Sequence, residues 1–118
     1  MASESGWFAV RCVFLHGEVS GEEDGTYEER ITLWNVSSAE LAIERAEAEA
    51  EQYVVDLQGV SNLGFAQSYA LFDTPGDGAE VFSLMRDSRL PPDEYLTTHF
   101  DTGTERAVNL FPDEGTSR

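Results

Sequence analysis

The chain has 118 residues and sets 23 Asp and Glu against seven basic residues, all arginine, for a net charge of −16. Such a field repels phosphate backbones and acidic membrane surfaces. It excludes direct nucleic-acid and membrane binding, and it leaves basic proteins or peptides, or a shielded second copy of the chain, as natural partners. The length suits one domain with one core, and a hydrophobic fraction of 41% excludes global disorder.

Residues 1–6 carry no basic residue, and Arg11 interrupts the apolar run that follows, so no export signal is expected and the chain reads as cytoplasmic. Residues 7–15 (WFAVRCVFL) are rich in aromatic and β-branched side chains and predict a strand. Phe8, Val10, Cys12 and Phe14 share one face, with Trp7, Ala9, Arg11, Val13 and Leu15 on the other. Both faces are apolar enough for a central strand. Residues 17–25 combine three glycines with four acids and predict a connecting loop to a second strand over 27–36, forming a hairpin. Maximising apolar cross-strand pairs sets Phe14 opposite Tyr27, Val10 opposite Ile31 and Phe8 opposite Leu33. The other face then pairs Trp7 with Trp34 and Arg11 with Arg30.

Ser37-Ser38-Ala39-Glu40 has the spacing of a capping box with Ser37 as the cap, which predicts a helix from Ala39 to about Leu57. Ala39, Ile43, Ala46, Ala50, Tyr53 and Leu57 form its apolar stripe, and Glu40, Glu44, Glu47 and Glu51 form an acidic ridge beside it. Residues 59–62 predict a break, 65–72 a third strand, 73–78 a turn and 80–85 (EVFSLM) a fourth strand, in the order ββαββ. Prolines and acids near 88–94 predict a short helix ending near Phe100 or Asp101. Val108, Leu110 and Phe111 form a last apolar cluster before a fraying tail. The expected fold is a single α+β domain over 1–118, ordered from about 7 to 111. Its sheet is four-stranded and mainly antiparallel, with the long helix on one face and a short C-terminal helix near the edge or the other face.

No catalytic residue is assigned. Cys12, the only cysteine, falls among apolar neighbours, where a thiol behaves as a small hydrophobe, and His16 and His99 sit at element ends. The adjacent Glu28 and Glu29 point to opposite faces of a strand. The acids at 22–24 and at Asp73 and Asp77 lack the spacing of a calcium loop, so neither metal nor cofactor is expected. Two surfaces remain as candidates. One is the ridge of Glu40, Glu44, Glu47 and Glu51; the other is a sheet face carrying Trp7, Arg11, Arg30 and Trp34, residue types that dominate interface hot spots.

WFAVRCVF, TYEERITLW, the Ala/Glu-rich helix and EVFSLMRDSRLPPDEYL together resemble a small bacterial family of domains of unknown function. The likeness rests on its W-[YF]-x-V-[RK] opening strand and [YF]-E-E-R-I second strand, here Glu28, Glu29, Arg30 and Ile31. It spans residues 7–101 and implies a compact α+β domain with no assigned reaction. By analogy of class, small acidic bacterial domains of this kind include immunity proteins that cap a basic toxin. The expectation is therefore a non-enzymatic acidic protein that binds a basic protein, of immunity type or otherwise, or that homodimerises. Two other readings stay open: a regulatory module gripping a small anion through Arg11 and Arg30, and a mimic of nucleic acid.

Overall fold

The computed structural model describes residues 6–22 and 25–100, which fall into two compact units, one ending at Leu84 and one beginning at Met85. The cluster of Val108, Leu110 and Phe111 lies outside the described residues. In the first unit, strands β1 (Gly6–His16), β2 (Thr26–Val36) and β3 (Val60–Ala70) form an antiparallel sheet in the order β2-β1-β3, and helix α1 (Ala39–Val55) packs on one face. The α+β class expected from the sequence holds, and β1 is central, as its two apolar faces require.

The β1–β2 register differs from expectation by one residue. Phe8 pairs with Trp34, Cys12 with Arg30 and Phe14 with Glu28, so Arg11 stands opposite Ile31 instead of Arg30. A slip of one exchanges faces: Glu28, Arg30, Thr32 and Trp34 turn toward α1, while Tyr27, Glu29, Ile31 and Leu33 turn to the open face. Counting apolar pairs failed because α1 supplies polar partners for the inward side of β2. The alternative register would also have faced two arginines across the ladder.

α1 begins one residue later in its cap than the capping box implied. Ser38, not Ser37, accepts a hydrogen bond at Oγ from the Leu41 N–H at 3.1 Å, so Glu40 is a first-turn acid that favours the helix dipole. Ala42, Ala46 and Ala50 are 0%, 0% and 1% exposed and bring the helix backbone close to the sheet. Val10, Cys12, Phe14 and Val36 complete the core.

β3 starts at Val60, within the predicted break, and ends at Ala70. Opposite the single residue Val13, between Cys12↔Ala66 and Phe14↔Asn62, it carries Leu63, Gly64 and Phe65. The two extra residues keep Asn62 and Ala66 on one face while bending the strand. Gly64 sits there at φ +78°, and its N–H donates to Asn62 Oδ1 at 3.0 Å. Gly64→Ala forces a side chain into the left-handed region and is expected to cost about 1–2 kcal/mol, read as a lower urea midpoint. An unchanged midpoint would show that the bulge relaxes freely.

The predicted fourth strand is absent: among the described residues the sheet has three strands, and residues 79–89 carry no strand. EVFSLM places apolar residues at 81, 82, 84 and 85, without the period of two that a half-buried strand needs. The segment after β3 instead crosses the open face. Leu71 N–H donates to the Trp7 carbonyl at 2.9 Å, Tyr69 donates to Glu80, and the Phe82 ring lies 5.9 Å from that of Tyr69.

The second unit contains α2 (Pro92–His99), preceded by Pro91 and with Asp93 and Glu94 in its first turn, close to the predicted bounds. Arg86 Nη1 donates to Tyr95 Oη at 3.0 Å, and the Tyr95 and His99 rings are 4.5 Å apart. No described helix is long and apolar enough to cross a membrane.

Candidate functional site

Between α1 and β2 lies a polar cluster that the inward-facing side of β2 demands. Arg30 donates from both terminal nitrogens to Glu49, at 2.7 and 2.9 Å, a bidentate pair whose planar fork matches a carboxylate. Its guanidinium carbon lies 3.9 Å from the centre of the Tyr53 ring, in cation–π contact. The Tyr53 hydroxyl donates to Glu28 at 2.9 Å, and His16 Nε2 donates to the same carboxylate at 2.8 Å. Helical geometry explains the reach from α1. Glu49 and Tyr53 are four apart and flank the alanine stripe on the side facing β2.

Burial, and after it the charges of this cluster, shift the ionisable groups around it. Burial pushes the Cys12 thiol above its ordinary value, Glu49 and Glu47 push it further, and Arg30 opposes them in part. The Tyr53 phenol is raised first by burial and then by its bond to Glu28. Arg30 is held charged above its ordinary range, chiefly by the hydrogen bond to Glu49. A buried, protonated thiol is a poor nucleophile. The unfolded chain releases these protons from about pH 9.0 for the thiol and 10.0 for the phenol, whereas the folded chain keeps them to higher pH. Stability present below those values is lost as pH rises through the folded ones. The urea midpoint is expected to fall from about pH 9 upward, with Tyr53→Phe removing the later part of the fall. A flat profile would contradict this.

On the open face Arg11 donates to Glu29 at 3.1 Å and to Gln67 Oε1 at 2.6 Å, with its guanidinium 4.8 Å from the Phe82 ring centre. The expected face of Trp7, Arg11, Arg30 and Trp34 is therefore not formed. Trp7 and Arg11 lie on the open side, while Arg30 and Trp34 lie on the α1 side, where the Trp34 indole donates to Thr32 at 2.7 Å. The one-residue slip separates them. It also prevents Arg11 and Arg30 from gripping one small anion, since each is engaged by a carboxylate on its own side.

Glu40, Glu44, Glu47 and Glu51 are exposed along α1, as the helical spacing implied. Glu51 accepts from Asn62 at 2.9 Å, which sets the ridge on the β3 side of the helix. Glu40, Glu44 and Glu47 form no ion pair among the described residues. Cys12 is buried, His99 is exposed, and among the described residues no three His, Cys, Asp or Glu side chains converge on a metal position. Sequence reasoning missed Glu49, Tyr53 and Glu28 as one cluster. The available signal was Glu49 bordering the Ala46/Ala50 stripe, a carboxylate placed where only an inward cation makes sense.

Comparison with protein-family models, curated proteins and solved structures gave no match.

Proposed function

We propose that this protein is a non-enzymatic acidic binding protein whose partner is a basic protein or peptide. The observation that carries the reading is a net charge of −16 combined with what the arginines do. Arg11 and Arg30 are paired with Glu29 and Glu49, and the other five arginines face the remaining 21 carboxylates of the chain, so the negative excess stands uncompensated. Like charges at i,i+3 and i,i+4 along the ridge cost a few tenths of a kcal/mol each, by order of magnitude, and a cationic partner relieves that cost. The same field speeds the encounter. A basic toxin held inactive is one member of this partner class. The duplex-mimic reading needs two acidic rows, and α1 carries one, its remaining glutamate, Glu49, being turned to Arg30.

The test is capture by the immobilised protein from a native lysate at about 50 mM and about 500 mM salt, followed by rebinding of the purified captive. A discrete basic protein held at low salt and released at high salt is the expected result. Retention of no basic protein, or retention indifferent to salt, overturns the reading.

A further inference from the structure

β2 is inverted for a strand in a two-layer fold. With a helix on one face, the inward side chains of a sheet are ordinarily apolar and the outward ones polar. Here the inward set is Glu28, Arg30 and Thr32, then Trp34 and the buried Val36, and the outward set holds, besides Glu29 and Asn35, the apolar Tyr27, Ile31 and Leu33. These three are 57%, 41% and 38% exposed. The segment that crosses the open face reaches β1 and β3, where Phe82 meets Arg11 and Tyr69.

The strand also leaves its outer edge unpaired among the described residues. Its pairing to β1 runs in unbroken register for eleven residues, with no Pro or Gly and no bulge. Edge strands usually carry such interruptions as protection against pairing with another chain, and β3 has one at Gly64. Charge selects among possible occupants. A second copy brings another −16 to the same edge, so the long-range field opposes self-association there. A cationic strand is drawn by that field, and the Arg30 charge on the α1 side is offset by Glu49.

We propose that β2 is the docking edge for an extended, basic segment of the partner, which adds to the sheet as a further strand. Main-chain hydrogen bonds along the outer edge supply the affinity, and the side-chain alternation supplies the selection. The apolar side chains of the segment lie beside Tyr27, Ile31 and Leu33. Its Lys or Arg side chains alternate to the α1 side, where Glu28 and Glu49, though engaged by His16 and Arg30, keep 29% and 33% of their side chains exposed. The exposed Glu18 and Glu22 of the β1–β2 loop extend the acidic field at one end. This inference rests on the basic-partner reading and names the surface and the form of the ligand.

The test is titration of the whole protein with a capped peptide of alternating Lys and Val, about ten residues long to match the strand. An alternating Glu and Val peptide is the charge control. Two N-methylated versions, blocked at the Lys or at the Val amides, remove the main-chain donors that face one edge or the other. The Lys–Val peptide is expected to bind with affinity that falls as salt rises, to shift amide resonances within 26–36, and to lose at least about tenfold in one N-methylated version. Ile31→Ser with Leu33→Ser, checked for an unchanged fold by circular dichroism, is expected to weaken it by a further factor of about ten. Replacing Glu40, Glu44, Glu47 and Glu51 with Gln is expected to matter less.

Binding that ignores N-methylation and the Ile31 and Leu33 changes overturns the edge and leaves the basic-partner reading standing. Failure of the peptide to bind while lysate proteins are captured does the same. No binding of any cationic probe overturns both. A doubled mass in solution that the Ile31 and Leu33 changes abolish assigns the edge to a second copy and overturns the proposal.

Discussion

Phe14→Ala is expected to destabilise the first unit by about 3–5 kcal/mol, as measured by urea unfolding followed through tryptophan fluorescence. Among the described residues Phe14 is the largest fully buried side chain, at 0% exposure, on the central strand beneath α1. Its ring meets Tyr53 edge to face, with centroids 5.0 Å apart and planes at 68°. Truncation removes the apolar burial and leaves a cavity that the rigid alanine stripe cannot fill, because Ala42, Ala46 and Ala50 have no longer rotamers to offer. It also takes away a wall of Tyr53, which positions both the Arg30 guanidinium and the Glu28 carboxylate. Small domains have about 5–15 kcal/mol in total, so the variant is expected to be partly unfolded at 37 °C. Phe14→Leu, which keeps most of the volume, is expected to cost less than about 2 kcal/mol. A loss below about 1 kcal/mol for the alanine variant would show that the site is not packed as described.

Arg30→Ala is expected to cost about 2–3 kcal/mol, the second largest effect. It removes a bidentate charged hydrogen bond and a cation–π contact, and it leaves Glu49 facing the sheet without its cation. The side chains are 28% and 33% exposed, so solvent reduces the pair below the value of a sealed one and keeps it above that of an open one. A double-mutant cycle with Glu49→Ala is expected to give a coupling of about 1–2 kcal/mol. The Arg11–Glu29 pair is the internal comparison. Its carboxylate is 62% exposed, and its coupling is expected to stay under about 1 kcal/mol and to fade with salt. Equal couplings for the two pairs would contradict the asymmetry between the covered and open faces.

Local signals carried much of this fold. The doubly apolar β1, the polar loop after it and the alanine-rich helix each announce themselves through spacing, and α1 begins at Ala39 as its periodicity implies. What local pattern could not convey was which side of β2 faces α1. That choice turns on a three-body arrangement: Arg30 is welcome inside only because Glu49 and Tyr53 arrive from a helix nine or more residues further on. A rule that counts apolar pairs between two strands has no access to that third element, and one residue of slip then scattered the expected Trp and Arg face. The EVFSLM segment misled for a related reason. Its composition suits a strand, but its aromatic residue is used as a clamp over Arg11 and Tyr69. The acidic ridge was legible because exposure on a helix depends on spacing alone.

The lone thiol has a use for the experimenter. Cys12 sits in the central strand with 5% of its surface accessible, sealed by the helix above it. An alkylating reagent can reach the sulfur only when that roof lifts, so the modification rate of the untouched protein is a clock for the opening. Followed with and without a bound partner strand, the same clock times how tightly a ligand at the rim of the sheet fastens the helix over it.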